Sequence, residues 1–94
     1  MTEKIPNTAE GFYKRGRAYL KNGKHDLAIA DFNETLRLDP GYSEALMERG
    51  NAYAGKGDRE KAKQDFHQAM KDEQFLERLR SDIEYRQEIG WTET

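Results

Sequence analysis

Along this chain apolar and polar residues nowhere alternate in the two-residue rhythm of a strand. They fall into five helical blocks, cut apart by Pro and by Gly-rich turns. Ile5-Pro6-Asn7 is an extended lead-in, because a residue before Pro is pushed out of the helical region. A first helix follows, capped by Asn7 or Thr8, with Glu10 at the place of a capping-box carboxylate, and runs to about Lys21. Asn22-Gly23-Lys24 stops it, since Gly accepts the left-handed conformation beyond a helix end. A second helix is expected over about 26–37, and Asp39-Pro40-Gly41 breaks the chain. A third covers about 43–54. Gly55-Lys56-Gly57-Asp58 is the next turn, with Asp58 as a cap for a fourth helix over about 59–71. A fifth, about 75–88, carries Leu76, Leu79 and Ile83 as one apolar stripe among charged residues. Loops this short make successive helices antiparallel neighbours.

The blocks repeat. Shifted by 34 residues, the sequence falls on itself without a gap: Glu10 on Glu44, Arg15 on Arg49, Gly16 on Gly50, Ala18 on Ala52, Tyr19 on Tyr53, Gly23 on Gly57, Ala28 on Ala62, Asp31 on Asp65 and Phe32 on Phe66. Small residues (Gly16, Ala28) let two helix backbones approach, and Tyr19 and Phe32 fill the space beside them. On this reading the tiny residues of one unit admit the bulky rings of the next. A helix pair of this kind cannot hide its apolar face alone and must stack on a neighbour.

The pattern resembles the tetratricopeptide repeat family, whose period is 34 residues. Repeat one, 9–42, supplies Phe12, Gly16, Tyr19, Ala28, Phe32 and Pro40, with Thr35 at the later small position. Repeat two, 43–76, supplies Leu46, Gly50, Tyr53, Ala62, Phe66 and Ala69. It departs at Gln74, where the family has Pro, so the fifth helix follows closely or even joins the fourth. Arg15 and Arg49 replace the family's Leu before the signature Gly. Residues 77–94 break the repeat, because Glu84 and Gln87 stand where Gly and Tyr would be, and they read as a cap with one face buried on the fourth helix and one face wet. The implied fold is an all-α solenoid of antiparallel helix pairs, one domain over 1–94. Met1 makes the amino-terminal end read as a natural start; the carboxyl end is undecided, so a longer array stays open.

The resemblance also implies a function: the first helices of the repeats line a concave groove that takes a peptide or helix of a partner protein. The family's groove positions fall on Glu10, Tyr13, Arg17 and Leu20, then Glu44, Met47, Asn51 and Ala54, then Arg78, Ser81 and Tyr85 if the register continues. On this reading Arg17 and Arg78 hold a carboxylate bidentately, while Tyr and Met cover apolar side chains. Chaperone-tail-binding members carry Lys and Asn on the first such helix, Asn on the second, and Lys and Arg on the third. Here those places hold Tyr13 and Arg17, Glu48, and Arg78 and Asp82, and the acidic pair argues against tight binding of a terminal carboxylate.

Composition limits the other possibilities. The chain is 35% hydrophobic and 36% charged, but 16 basic and 18 acidic residues nearly cancel and 11% are aromatic, which argues against disorder. A net charge of −2 supplies no general pull toward nucleic acid. There are no cysteines, hence no disulfide or thiol chemistry, which fits a reducing, cytoplasmic setting. No stretch reaches the roughly 20 apolar residues of a membrane span, and Met1 to Glu10 lack a signal-peptide run. His25 and His67 do not form a metal pair. Asp31-Phe32-Asn33-Glu34 and Asp72-Glu73 read as solvated helix faces. Gly50 to Gly57 imitates a phosphate loop but lacks the closing Ser or Thr and any preceding strand. Ser43 is a helix-start residue without a base partner. Lys14-Arg15-Gly16-Arg17, with Lys21 and Lys24, is an exposed or groove-facing basic side rather than a nucleic-acid site. Trp91 either tucks against the fifth helix or stands exposed as a contact. No catalytic residue, cofactor or metal is expected. The alternative to a partner-binding module is a self-assembling one, a homo-oligomer stacked through a repeat end or the groove.

Overall fold

The computed structural model describes residues 6–88, with side chains to residue 82, and every element in that span is a helix: α1 (Ala9–Lys21), α2 (His25–Leu38), α3 (Ser43–Lys56), α4 (Arg59–Ala69) and α5 (Glu73–Glu88). α1 with α2, and α3 with α4, form the two hairpins of an all-α stack. Their tight ends are built alike. Gly23 and Gly57 have φ of +75° and +91°, values that side chains with a Cβ resist. The Lys24 and Asp58 amides donate back to the Tyr19 and Tyr53 carbonyls, both at 2.9 Å, which satisfies the last turn of each helix. At the start of α1, Thr8 Oγ1 accepts from the Gly11 amide at 3.0 Å. With Thr8 as cap, Glu10 falls one position short of the capping-box site and pairs with Lys14 at 3.4 Å. Asp58 caps α4 by accepting from the Lys61 amide.

Each hairpin closes on a glycine facing a phenyl ring. A Cβ on Gly16 would stand 2.7 Å from Phe32 Cε1, and one on Gly50 would stand 2.6 Å from Phe66 Cε1. The ring comes from the second helix of the same hairpin, not from the next unit as the sequence suggested. Phe32 is fully buried. Stacking between hairpins uses alanines instead: Ala45 and Ala52 of α3 lie at 0% exposure in one cluster with Ala28, Ile29 and Phe32 of α2. The rim of this junction is polar. The His25 ring sits against Gly55, Lys56 Nζ lies 2.5 Å from Asp26, and Arg49 donates to Asn33 at 2.8 Å.

Asp31 and Asp65 are not solvated helix faces. They are 4% and 5% exposed, and each accepts two hydrogen bonds from the Arg that replaces the family's Leu. Arg15 Nε and Nη2 reach Asp31 at 2.8 and 2.9 Å, and Arg49 Nε and Nη2 reach Asp65 at 2.8 and 2.7 Å. Such planar two-point contacts are the strong form of the ion pair. Each guanidinium also lies over the half-buried Tyr of its repeat, 5.8 Å from Tyr19 and 5.9 Å from Tyr53. Thr35, also fully buried, sets its hydroxyl 3.1 Å from the Asp31 carbonyl and 3.2 Å from that of Ala9, tying α2 to the start of α1.

The missing Pro at Gln74 has the expected consequence. α5 follows α4 closely but stays a separate helix, beginning at Glu73. Asp72 makes the junction: its Oδ1 accepts from the Gln74 and Phe75 amides, and its Oδ2 accepts from the Ser43 hydroxyl at 2.7 Å. It therefore belongs to a helix start, not to an open face. The Ser43 bond first, then the amides, holds the Asp72 carboxyl below the ordinary carboxylate range. Phe75, 3% exposed, anchors α5 in a second cluster with Leu46 and Ala69, flanked by Leu36, Met47 and Leu76. Leu79, expected on the buried stripe, is 38% exposed. The side chain of Ile83, and all of Trp91, lie outside the described residues.

Two mutations test this account. Gly16→Ala gains about 1 kcal/mol of helix propensity but collides with a ring that has nowhere to go. It is expected to cost about 1–3 kcal/mol net by urea unfolding. Gly50→Ala is expected to cost less, because Phe66 is only partly buried; the reverse order would contradict the packing. Arg49→Leu restores the family residue yet strands Asp65. It is expected to cost about 2–3 kcal/mol, and Arg49→Leu/Asp65→Ala to recover most of that loss.

Candidate functional site

Polar residues of the first helices of the two repeats, joined by α5, meet along one side of the stack. Two ion pairs cross from helix to helix there. Arg17 of α1 lies 3.6 Å from Glu48 of α3, and Arg78 of α5 donates to Glu44 of α3 at 2.9 Å. Between them sits an aromatic seat. Tyr13 stacks at 5.0 Å between ring centroids on Tyr42, and at 6.0 Å on the buried Phe32, with the Arg17 guanidinium 5.8 Å from its ring. Asn51 donates to Glu48 at 3.2 Å.

The electrostatics of this seat are acidic. Burial raises the Tyr13 hydroxyl above its ordinary pKa, and the carboxylates of Glu48 and Glu44 push it the same way against the pull of Arg17. Tyr42 is raised as well, by burial first and then by Glu10, Glu44 and Asp39. Glu10, Tyr13, Arg17, Tyr42, Glu44 and Glu48 therefore share one electrostatic neighbourhood. Among the described residues, no group of three or more His, Asp or Glu side chains is placed to hold a metal ion. No described helix is long and apolar enough to cross a membrane.

The tetratricopeptide repeat family model matches residues 13–74. The chain belongs to the tetratricopeptide repeat family. Two crystal structures of the protein MamA share the fold. One has a TM-score of 0.64 and 38% identity, covering 67% of this chain and 34% of the MamA chain. The other has a TM-score of 0.67 and 36% identity, covering 74% and 41%. A tetratricopeptide repeat and J domain-containing co-chaperone of Cryptococcus neoformans is 43% identical over 37 residues, 39% of this chain and 7% of the co-chaperone. The chain thus spans well under half the length of each of these relatives. Tetratricopeptide repeats form a family of protein-interaction scaffolds, and this chain carries that general role.

Within the family frame, the expected groove positions divide into three kinds. Glu10, Tyr13, Arg17, Glu44, Asn51 and Arg78 stand together as described. Leu20 and Met47 are half-buried, against the first and second cores, so they floor the face more than they line it. Ala54 and Ser81 are exposed. Tyr85 lies on the α5 backbone, its side chain outside the described residues. Arg17 and Arg78, expected to hold a ligand carboxylate, are engaged by Glu48 and Glu44, because neighbouring repeats place a carboxylate opposite each. Tyr42 escaped notice in the sequence. The 34-residue shift pairs it with Leu76, another large apolar residue, although Tyr42 stands just before α3 and Leu76 one turn inside α5.

Tyr13 provides a pH test. Its folded pKa lies above the unfolded value of about 10, so the unfolded chain loses this proton first. Stability is unaffected well below pH 10 and falls as pH rises from there through the folded pKa. The phenolate absorbance lost in Tyr13→Phe should appear above pH 10. In Glu48→Gln it should appear at lower pH than in the parent, yet still above 10, since burial is the larger cause. No change in Glu48→Gln would separate Tyr13 from that carboxylate.

Proposed function

We propose that this chain is a non-catalytic interaction module whose α1–α3–α5 face receives a segment of a partner protein. The carrying observation is the Tyr13–Tyr42 pair, ringed by Glu10, Glu44 and Glu48. Two partly buried rings in an acidic surround suit an apolar or cationic side chain, through contact area and cation–π attraction. A terminal carboxylate suits them poorly. To be held by Arg17 or Arg78 it must first displace Glu48 or Glu44, and exposed ion pairs are worth at most about 1 kcal/mol each, so the exchange brings little. The face is thereby selective without a deep pocket. The likeness to the co-chaperone covers 37 residues, about one repeat, and so supports the packing of a repeat more than any particular client.

Selection from a random peptide library tests this reading. Bound peptides should be enriched in Lys or Arg beside Leu, Phe or Tyr. Binding should be lost in Tyr13→Ala/Arg17→Ala/Asn51→Ala with helicity unchanged. It should also weaken about tenfold in Glu44→Gln/Glu48→Gln, which removes charge without disturbing packing. An acidic C-terminal peptide should show no micromolar affinity. Enrichment of acidic peptides, or binding indifferent to both sets of substitutions, would overturn the assignment.

A further inference from the structure

The internal repeat shows how a helix face of this kind is normally covered; among the described residues, α1 carries the same face with its Gly11 end against Pro6 and Thr8 and its stretch from Lys14 to Lys21 open. In α3, Ala45 and Ala52 lie at 0% exposure in the core shared with α2, Glu48 reaches Arg17, and Gly55 takes the His25 ring. Shifting by 34 residues carries Ala45, Glu48, Ala52 and Gly55 onto Gly11, Lys14, Ala18 and Lys21. Ala18 is exposed where Ala52 is sealed. Lys14, Arg17, Ala18 and Lys21 line an open cleft along α1. The backbone surface is that of a helix seat, with a methyl group as its floor.

Most differences between the two seats run in one direction; the exception is Asn22, which stands where Lys56 pairs with Asp26 at the rim. Lys14 stands for Glu48, Arg17 for Asn51 and Lys21 for Gly55, and at the hairpin cap Lys24 stands for Asp58. Each of these changes makes the first face more positive. Among the described residues, the carboxylates paired at its edge are Glu10, 3.4 Å from Lys14, and Glu48, 3.6 Å from Arg17; the first pair is exposed and the second largely so, and both are therefore weak. We propose that this end of the stack docks an acidic amphipathic helix, laid across α1 much as α2 lies across α3. The internal junction defines its apolar side: Ile29 and Leu36 of α2, two turns apart, pack with Ala45 and Ala52. The partner helix presents a large aliphatic residue at each of two positions seven apart, over Ala18 and its neighbours, and Asp or Glu on both flanks, within reach of Lys14, Arg17 and Lys21. Nucleic acid is the poorer occupant. The floor of the cleft is a methyl group that offers no ring for base stacking, and the chain as a whole is net negative.

The probe is a fluorescein-labelled peptide of the α2 sequence, residues 25–38, carrying Asn33→Glu and Arg37→Glu, titrated with the full chain by fluorescence anisotropy. Its control carries Lys at the same two positions. The acidic peptide should bind at least about tenfold more tightly than the control, and more weakly as salt rises. Lys14→Glu/Lys21→Glu should reverse the preference. Ala18→Tyr should block both peptides, with helicity by circular dichroism unchanged because all three positions are exposed. Equal binding of the two peptides overturns the proposal, as does affinity for the acidic peptide weaker than millimolar or unmoved by these substitutions. Tighter binding of a DNA duplex than of the acidic peptide would assign the face to nucleic acid instead.

Discussion

Where Gly16 meets Phe32, the absence of a side chain on one helix is what admits a side chain from the other. A ring whose Cε1 would lie 2.7 Å from a Cβ leaves no room for any residue but glycine, so the approach of α1 to α2 is fixed by one hydrogen atom. The same contact at Gly50 and Phe66 fixes α3 against α4. Interiors are packed as densely as crystals, so this distance propagates. It brings Arg15 and Arg49 onto Asp31 and Asp65, and it holds Tyr19 and Tyr53 beneath the two guanidinium groups.

Stacking one hairpin on the next uses a gentler rule. Ala45 and Ala52 give α3 a flat side on which α2 can lie, and the rim is held by polar contacts from His25, Asp26 and Asn33. The carboxyl side of the stack is organised differently again. Asp72 joins the start of α5 to the start of α3 through Ser43, and Phe75 plugs the space between α3 and α4. A repeat array thus uses three kinds of junction: ring on glycine within a hairpin, aliphatic on alanine between hairpins, and a shared carboxylate where the register breaks.

The candidate binding face follows from this regularity. Equal hairpins place the same positions of α1 and α3 side by side, so Arg17 finds Glu48, and α5 adds Arg78 against Glu44. The charges lie close to neutral in sum, yet the tyrosines between them sit among carboxylates, which is why both hydroxyls are raised. Selectivity on such a surface comes from which charges a partner must displace rather than from a deep cavity.

Period, helix number, turn glycines and the cap at Asp58 were legible in the residues, because each depends on local backbone chemistry or on a 34-residue identity that needs no coordinates. Tyr13 and Asn51 were placed on the proposed face by register alone. Three things depended on distance in space. One is the pairing of Arg15 with Asp31: sixteen residues separate them, and an Asp on a charged helix looks solvated until its partner helix is in place. Another is the engagement of Arg17 and Arg78, which takes two neighbouring helices to see. The last is the direction of Phe32, whose ring turns into its own hairpin rather than the next. Sequence determines which helices form and where they stop, because those are contests between neighbouring residues. Burial and pairing of charge are settled by tertiary structure, because only folding sets the distance between groups that the chain keeps far apart.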